Sequence, residues 1–97
     1  MIRLAWSKGL QFEAEDDYRH KIIVDTAREF GGLDQGFRPM DLLLVALTGC
    51  MAMDIVAILQ KKGGKIESFV MEAAGTSAEE HPHKFTKIRV KIRISLA

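Results

Sequence analysis

Cysteine is nearly absent from this chain of 97 residues, and Cys50 is its only thiol. A single cysteine cannot form a disulfide within the chain, which fits a reducing compartment. The first residues, MIRLAWSKG, show no basic segment followed by an apolar one, so we expect no secretory leader. Both observations predict a cytoplasmic protein.

An excess of charge is also absent, because 14 basic and 13 acidic residues leave a formal net charge of +1. Binding to a nucleic-acid backbone needs a concentrated basic surface. Basic side chains alternate along residues 87–93, but the one tryptophan and the one tyrosine lie far from them in sequence. An aromatic platform for stacking bases is therefore not evident, and we expect no nucleic-acid partner.

Groups of metal ligands are sparse. The acidic run EAEDD, at residues 13–17, lacks the glycine and the ligand spacing of a calcium loop, and we expect a solvated hairpin there. The sequence HPH, at residues 81–83, offers two histidines without a nearby cysteine or further histidine. Neither a metal site nor another cofactor is predicted.

The chain contains one long apolar run, residues 42–59, which only Thr48, Gly49 and Asp54 interrupt. Its length is at the lower limit for crossing a bilayer. Asp54 opposes that role, since a central aspartate costs about 2.5–3.5 kcal/mol on insertion scales, and segments with strand patterns flank the run. A helix that is apolar on nearly all sides is otherwise covered by a sheet or by a second subunit. We therefore predict a buried core helix and no membrane partner.

The pattern of apolar and polar residues predicts a single α+β domain over residues 1–97. Pro39 suits the first turn of a helix, and Gly63-Gly64 suits its end. The predicted elements are a β-meander at 1–27, a glycine-rich loop at 28–38, a central helix at 39–62 and a β-hairpin at 65–97. This order predicts an antiparallel β-sheet wrapped around a long buried central helix.

Two segments resemble the OsmC/Ohr family of osmotically inducible and organic-hydroperoxide-resistance proteins. They are RPMDLLLVALTGCMAMDIVAILQKKG and, after a strand, EEHPHKFTKIRVKIRI, and the similarity extends over residues 28–94. Family members carry a small residue before a helix cysteine, then D-x-V-x-x-L-x-K, and later E-x-P-x-x-F-T-x-I. Pro39-Met40-Asp41 is similar to the branch with Pro-Met-Glu/Asp ahead of the helix.

The resemblance implies a thiol peroxidase that forms an intertwined homodimer, with an active site that joins the helix of one subunit to the loop of the other. In the family, the helix cysteine attacks the O–O bond of an organic hydroperoxide, and the resulting sulfenic acid is resolved by a second cysteine. Cys50 matches the reactive position. Arg28 is the best match to the arginine that assists it, and Arg38 is the second. Because a second cysteine is absent here, we expect an external thiol or dithiol to reduce Cys50.

The resemblance and the apolar side chains around Cys50 also predict a substrate site for bulky organic hydroperoxides. Its predicted residues are Arg38, Met40, Asp41, Leu47 and Met51. In the family an acidic residue usually follows the proline directly, a position that Met40 occupies here.

A second class of function stays open, namely a noncatalytic dimeric domain of the same fold that binds an apolar small molecule or a partner chain. It rests on Met40 and on the missing second cysteine. The residue pattern without the resemblance favours Cys50 as an inert core residue, since free cysteine is among the most buried residue types.

Overall fold

A computed structural model describes residues 1–77 and 85–97, so the two histidines of HPH lie outside the described residues. Two antiparallel sheets and one long helix confirm the predicted α+β class. The chain divides into two compact units, Met1–Leu42 and Leu43–Ala97. The prediction of a single domain stays a prediction.

The sheet of the first unit is a meander of three strands, as predicted. The strands are β1 (Arg3–Lys8), β2 (Gln11–Glu15) and β3 (Lys21–Val24), and they pair in the order β1-β2-β3. The register places Phe12 of β2 between Trp6 of β1 and Val24 of β3. Such cross-strand rows of aromatic and branched side chains are a main source of sheet stability.

The acidic run forms the end of β2 and its turn into β3. The Asp16 carboxylate accepts hydrogen bonds from the backbone N–H groups of Tyr18 and His20, at 2.8 and 2.9 Å. The same carboxylate lies 2.9 Å from the His20 ring nitrogen Nδ1. The run thus belongs to an exposed turn, in agreement with the expected hairpin.

The glycine-rich loop contains a short 3₁₀ turn, Arg28–Phe30, and then returns to β3. The Phe37 N–H donates to the Ile23 carbonyl at 3.0 Å, and the Asp25 N–H donates to the Phe37 carbonyl at 2.9 Å. Gly36 permits this approach, because a Cβ at that position would lie 2.6 Å from the carbonyl carbon of Ile23. The glycines at 28–38 predicted a loop, but they did not predict that Phe37 pairs with β3.

Helix α1 spans Pro39–Lys61, within one residue of the prediction. It ends in a Schellman motif, in which the Gly64 N–H donates to the Leu59 carbonyl at 2.9 Å and the Gly63 N–H to the Gln60 carbonyl at 3.0 Å. Gly63 has a φ of +80°, a conformation that suits glycine because it lacks a Cβ. The two glycines therefore end the helix as expected.

The second unit also contains a hairpin of two strands, β4 (Ile66–Ser77) and β5 (Phe85–Leu96), paired antiparallel. Both strands lie within the predicted β-hairpin of 65–97. Phe85 lies over Gly75, where a Cβ would come within 3.0 Å of the ring, and Thr86 Oγ1 donates to the Thr76 carbonyl at 3.0 Å. With these cross-strand contacts the pairing of the two strands continues as far as Ser77 and Phe85.

The helix differs from the prediction in one respect, because none of its residues is buried in the single chain. Leu43, Met53 and Ile58 are 57%, 75% and 55% exposed. Among the described residues, neither β4 nor β5 packs extensively against the helix. An apolar pattern indicates that a surface needs a cover, but it does not indicate which chain supplies that cover.

Candidate functional site

Cys50 lies on an exposed stripe of helix α1. Leu47 and Met53, three residues before and after it, lie on the same side of the helix and are 38% and 75% exposed. Asp54, four residues after Cys50, adds an exposed carboxylate to this side. The thiol is thus open and surrounded mainly by apolar side chains, so in the single chain Cys50 is not a buried core residue.

The predicted substrate residues divide between two sides of the helix. Leu47 shares the exposed stripe with Cys50, whereas Met40 and Met51 are half-buried. Adjacent positions on a helix do not face each other, so Met51 points away from the direction of the thiol. The structure therefore places Leu47, but not Met51, on the same face as Cys50.

Arg38 and Asp41 form an ion pair at the start of the helix. Arg38 Nε donates to Asp41 Oδ2 at 3.0 Å, and the two side chains are 57% and 40% exposed. Asp41 also lies in the first turn, where a carboxylate interacts favourably with the helix dipole. A carboxylate that orients an arginine is therefore present one position after Met40, the residue that stands in the family's acidic position.

The ion pair borders an open cleft of about 510 Å³ in the first unit. Its other lining residues are Ala27, Asp34, Gly36 and Phe37. Phe37 is 51% exposed and gives the cleft an apolar wall beside the charged pair. The cleft combines an oriented guanidinium with apolar surface, a combination that suits a small amphipathic ligand.

Arg28 lies in the 3₁₀ turn and its side chain is exposed. Within residues 1–77 and 85–97, no carboxylate lies at ion-pair distance from its guanidinium. Arg28 belongs to the first unit and Cys50 to the second. Their predicted cooperation therefore stays a prediction.

The most organised polar group in the first unit was not predicted. It is the carboxylate of Asp25, which is 1% exposed. Its Oδ1 accepts hydrogen bonds from the N–H groups of Thr26 and Leu33, at 2.8 and 3.2 Å. Its Oδ2 accepts from Gln11 Nε2 at 3.1 Å and from the Gln35 N–H at 3.3 Å.

Burial raises the pKa of Asp25, but the hydrogen bonds from Thr26, Gln11, Leu33 and Gln35 together hold that pKa below its usual value. The buried group is therefore a carboxylate with its lone pairs occupied. An aspartate at the end of a strand and ahead of a glycine-rich loop was the only sequence signal, since aspartates often accept hydrogen bonds from nearby backbone N–H groups.

Comparison with known proteins decides the family. Residues 32–97 match the family described as "OsmC-like protein". The chain belongs to the OsmC-like family. Curated relatives include Protein YhfA of Escherichia coli K12 and Protein YhfA of Shigella flexneri, each 33% identical over 88 residues. The alignment covers 91% of this chain and 63% of each relative, so the chain spans less than two thirds of their length.

Solved structures confirm the OsmC-like fold. A protein from Psychrobacter arcticus 273-4 gives a TM-score of 0.85 at 21% identity, covering 96% of this chain and 68% of that one. A hypothetical protein from Aquifex aeolicus VF5 gives 0.79 at 26% identity, covering 97% and 64%. An OsmC-like protein of unknown function from Vibrio cholerae gives 0.75 at 16% identity, covering 98% and 74%.

Membership of the OsmC-like family supports a stress-related protein with an OsmC fold. It also bears on helix α1, which by length and composition alone could cross a membrane. Members of the family are soluble, and a core helix of a soluble protein meets the same criteria of length and composition. Family membership therefore favours a core helix, while the cytoplasmic location stays a prediction.

Proposed function

We propose that this OsmC-like protein is a thiol-dependent redox enzyme that reduces organic hydroperoxides, with Cys50 as the nucleophile. The observation that carries the proposal is the exposed thiol of Cys50 on an apolar stripe of the helix. Reactive cysteines need access to the substrate, which a buried structural cysteine lacks.

The proposed reaction begins when the Cys50 thiolate attacks one oxygen of the hydroperoxide. An S–O bond forms as the O–O bond breaks, and the leaving alkoxide takes up a proton to become an alcohol. Cys50 is oxidised by two electrons to a sulfenic acid, and the hydroperoxide is reduced by two. An external dithiol then attacks the sulfenic sulfur, releases water, and in a second exchange leaves as a disulfide while Cys50 returns to the thiolate.

Organic hydroperoxides are the proposed substrates because the side chains next to Cys50 are apolar. Leu47 and Met53 can bury part of an organic substituent, at about 25 cal/mol for each Å² removed from water. Hydrogen peroxide offers no such surface and gains nothing from these contacts. We therefore expect a preference for substrates such as cumene hydroperoxide.

Arginine is proposed to stabilise the thiolate and the developing alkoxide, because both carry negative charge in the reaction. Arg28 is the first candidate, on the family resemblance. Arg38 is the second, and its guanidinium has the support of the Asp41 carboxylate at 3.0 Å. Substitution of each arginine separates the two assignments.

A homodimer is part of the proposal, because the apolar stripe of the helix needs a cover. Full burial of one large apolar side chain contributes about 1.5–3 kcal/mol. The side chains that a second copy would cover lie about two turns before and after Cys50, namely Leu43 and Ile58, which are 57% and 55% exposed, so that Leu47 and Met53 stay open to the substrate. Covering them would supply several kcal/mol of association energy.

Hydroperoxide consumption in the presence of a dithiol such as dihydrolipoamide tests the proposal. We expect turnover of cumene hydroperoxide by the native protein, slower turnover of hydrogen peroxide, and no turnover by Cys50→Ser. Replacement of the functional arginine by glutamine, as Arg28→Gln or Arg38→Gln, should lower the rate of cumene hydroperoxide turnover by about 100-fold. Equal rates for native protein and Cys50→Ser would contradict the proposal and favour the noncatalytic domain that binds an apolar molecule or partner chain.

A further inference from the structure

We infer that Asp25 is a positioning residue for the proposed reaction, in which its buried carboxylate holds the loop that presents Arg28. The inference rests on the proposed function and on the assignment of Arg28 within it. It goes further because nothing in the family motifs or in the reaction requires a carboxylate at this position.

The hydrogen bonds of Asp25 hold the loop on both sides of the 3₁₀ turn. Thr26 precedes the turn, whereas Leu33 and Gln35 follow it, and the N–H groups of all three donate to the one carboxylate. Gln11 connects this group to strand β2, since its Nε2 donates both to Asp25 Oδ2 at 3.1 Å and to Gln35 Oε1 at 2.7 Å. The two ends of the loop are thus attached to each other and to the sheet.

The segment between these attachment points has little conformational freedom of its own. The N–H groups of Phe30 and Gly32 both donate to the Ala27 carbonyl, at 3.0 and 3.1 Å, and the Asp34 N–H donates to the Thr26 carbonyl at 3.0 Å. Gly32 also packs against Thr26 so closely that a Cβ would lie 2.6 Å from the Thr26 carbonyl carbon. The backbone at Arg28 is therefore fixed, while its side chain remains exposed.

A carboxylate suits this position better than a neutral amide does. All four partners of Asp25 are N–H donors, and hydrogen bonds to a charged acceptor are stronger than those between neutral groups. In Asp25→Asn, an amide nitrogen at the Oδ2 position would meet Gln11 Nε2 and the Gln35 N–H, so that donors face donors. A second change, Gln11→Glu, would supply an acceptor for that amide and restore the connection to β2.

The rate constant for Cys50 oxidation by cumene hydroperoxide tests the inference, measured by trapping the sulfenic acid with dimedone in a rapid-quench experiment. Asp25→Asn should lower this rate by about 10- to 100-fold, because a small displacement of a positioned group has effects of that size. The decisive comparison is made in the Arg28→Gln background, where Asp25→Asn should change the rate by less than about twofold. Asp25→Asn/Gln11→Glu should recover part of the native rate.

Asp16→Asn is the matched control, because Asp16 organises the other turn of the same sheet through two backbone N–H donors. Its rate should stay within about twofold of the native rate. Gln11→Ala is the variant to use if Asp25→Asn does not fold, since it removes one of the four donors to the carboxylate, together with the hydrogen bond to Gln35 Oε1, and leaves the carboxylate in place. It should lower the rate in the native background but not in the Arg28→Gln background.

The outcomes separate this inference from the proposed function. Absence of a Cys50-dependent adduct in the native protein would overturn the proposed function and this inference with it. A reactive Cys50 that needs Arg28, combined with an unchanged rate in folded Asp25→Asn or in Gln11→Ala, would overturn the positioning role alone. An equal loss of rate from Asp25→Asn in both backgrounds would also overturn it, because it would indicate a general structural effect.

Discussion

Replacing Gly36 by alanine tests the close return of the loop to β3. The new Cβ would lie 2.6 Å from the Ile23 carbonyl carbon and 2.7 Å from Ile23 Cγ2. Since backbone atoms cannot rotate away as a flexible side chain can, the loop must move and the 3.0 Å hydrogen bond from the Phe37 N–H to the Ile23 carbonyl must weaken. Overpacking costs about 1–3 kcal/mol and a lost hydrogen bond about 0.5–1.5 kcal/mol, so the free energy of unfolding should fall by about 2–4 kcal/mol.

Urea denaturation followed by Trp6 fluorescence and far-UV circular dichroism measures this loss. Gly9→Ala is the matched control, because a Cβ there meets open space and only its φ of +53° adds strain, at about 1–2 kcal/mol. The two variants should be compared at one protein concentration, since association contributes to apparent stability. A loss for Gly36→Ala no larger than that for Gly9→Ala would show that the loop does not return to β3 this closely.

Three further predictions follow from the site, the helix end and the exposed stripe. The folded-state pKa of Asp25 lies below its unfolded value of about 3.9, so its contribution to stability is present above that pH and is lost as pH falls through the folded-state pKa. Urea denaturation at several pH values between 5 and 2.5 should show that the free energy of unfolding falls as the pH is lowered. Asp25→Asn should reduce this fall. Gly63→Ala should lower the free energy of unfolding by about 1 kcal/mol, because the φ of +80° disfavours a Cβ. Leu43→Glu, on the exposed stripe about two turns before Cys50, should convert the proposed dimer to monomer in sedimentation velocity.

Each of these predictions has a contradicting result. If the free energy of unfolding falls equally at low pH in Asp25→Asn and in the native protein, Asp25 does not contribute to this pH dependence. An unchanged stability of Gly63→Ala would show that the helix ends differently. A dimer that survives Leu43→Glu would place the interface elsewhere. Lys61→Glu, at the opposite end of the helix, is the control for the added negative charge.

Local chemistry explains why the helix was predictable. Pro39 fits the first turn and the Gly63-Gly64 pair fits a Schellman end, and both signals act within a few residues of the boundary that they set. The alternation in β5 is a local signal of the same kind. The end of β4 at Ser77 was not predictable in this way, because the pairing there depends on Phe85 lying over Gly75 across the sheet.

The organisation of Asp25 could not be read from the sequence for a similar reason. Its donors Leu33 and Gln35 lie 8 and 10 residues away, and Gln11 lies 14 residues away on another strand. Only the folded loop brings them to one carboxylate. The apolar pattern of the helix predicts that its surface is covered. It does not predict which segment or chain covers that surface.

Cys50 is proposed to be a reactive nucleophile, and intact-mass spectrometry shows whether it reacts with a hydroperoxide. The protein is exposed briefly to cumene hydroperoxide or to hydrogen peroxide, with and without dimedone, beside Cys50→Ser. We predict a dimedone adduct that requires Cys50 and forms faster with cumene hydroperoxide than with hydrogen peroxide. Absence of this adduct, with slow methionine oxidation as the only change, would show that Cys50 is not a peroxide-reactive thiol.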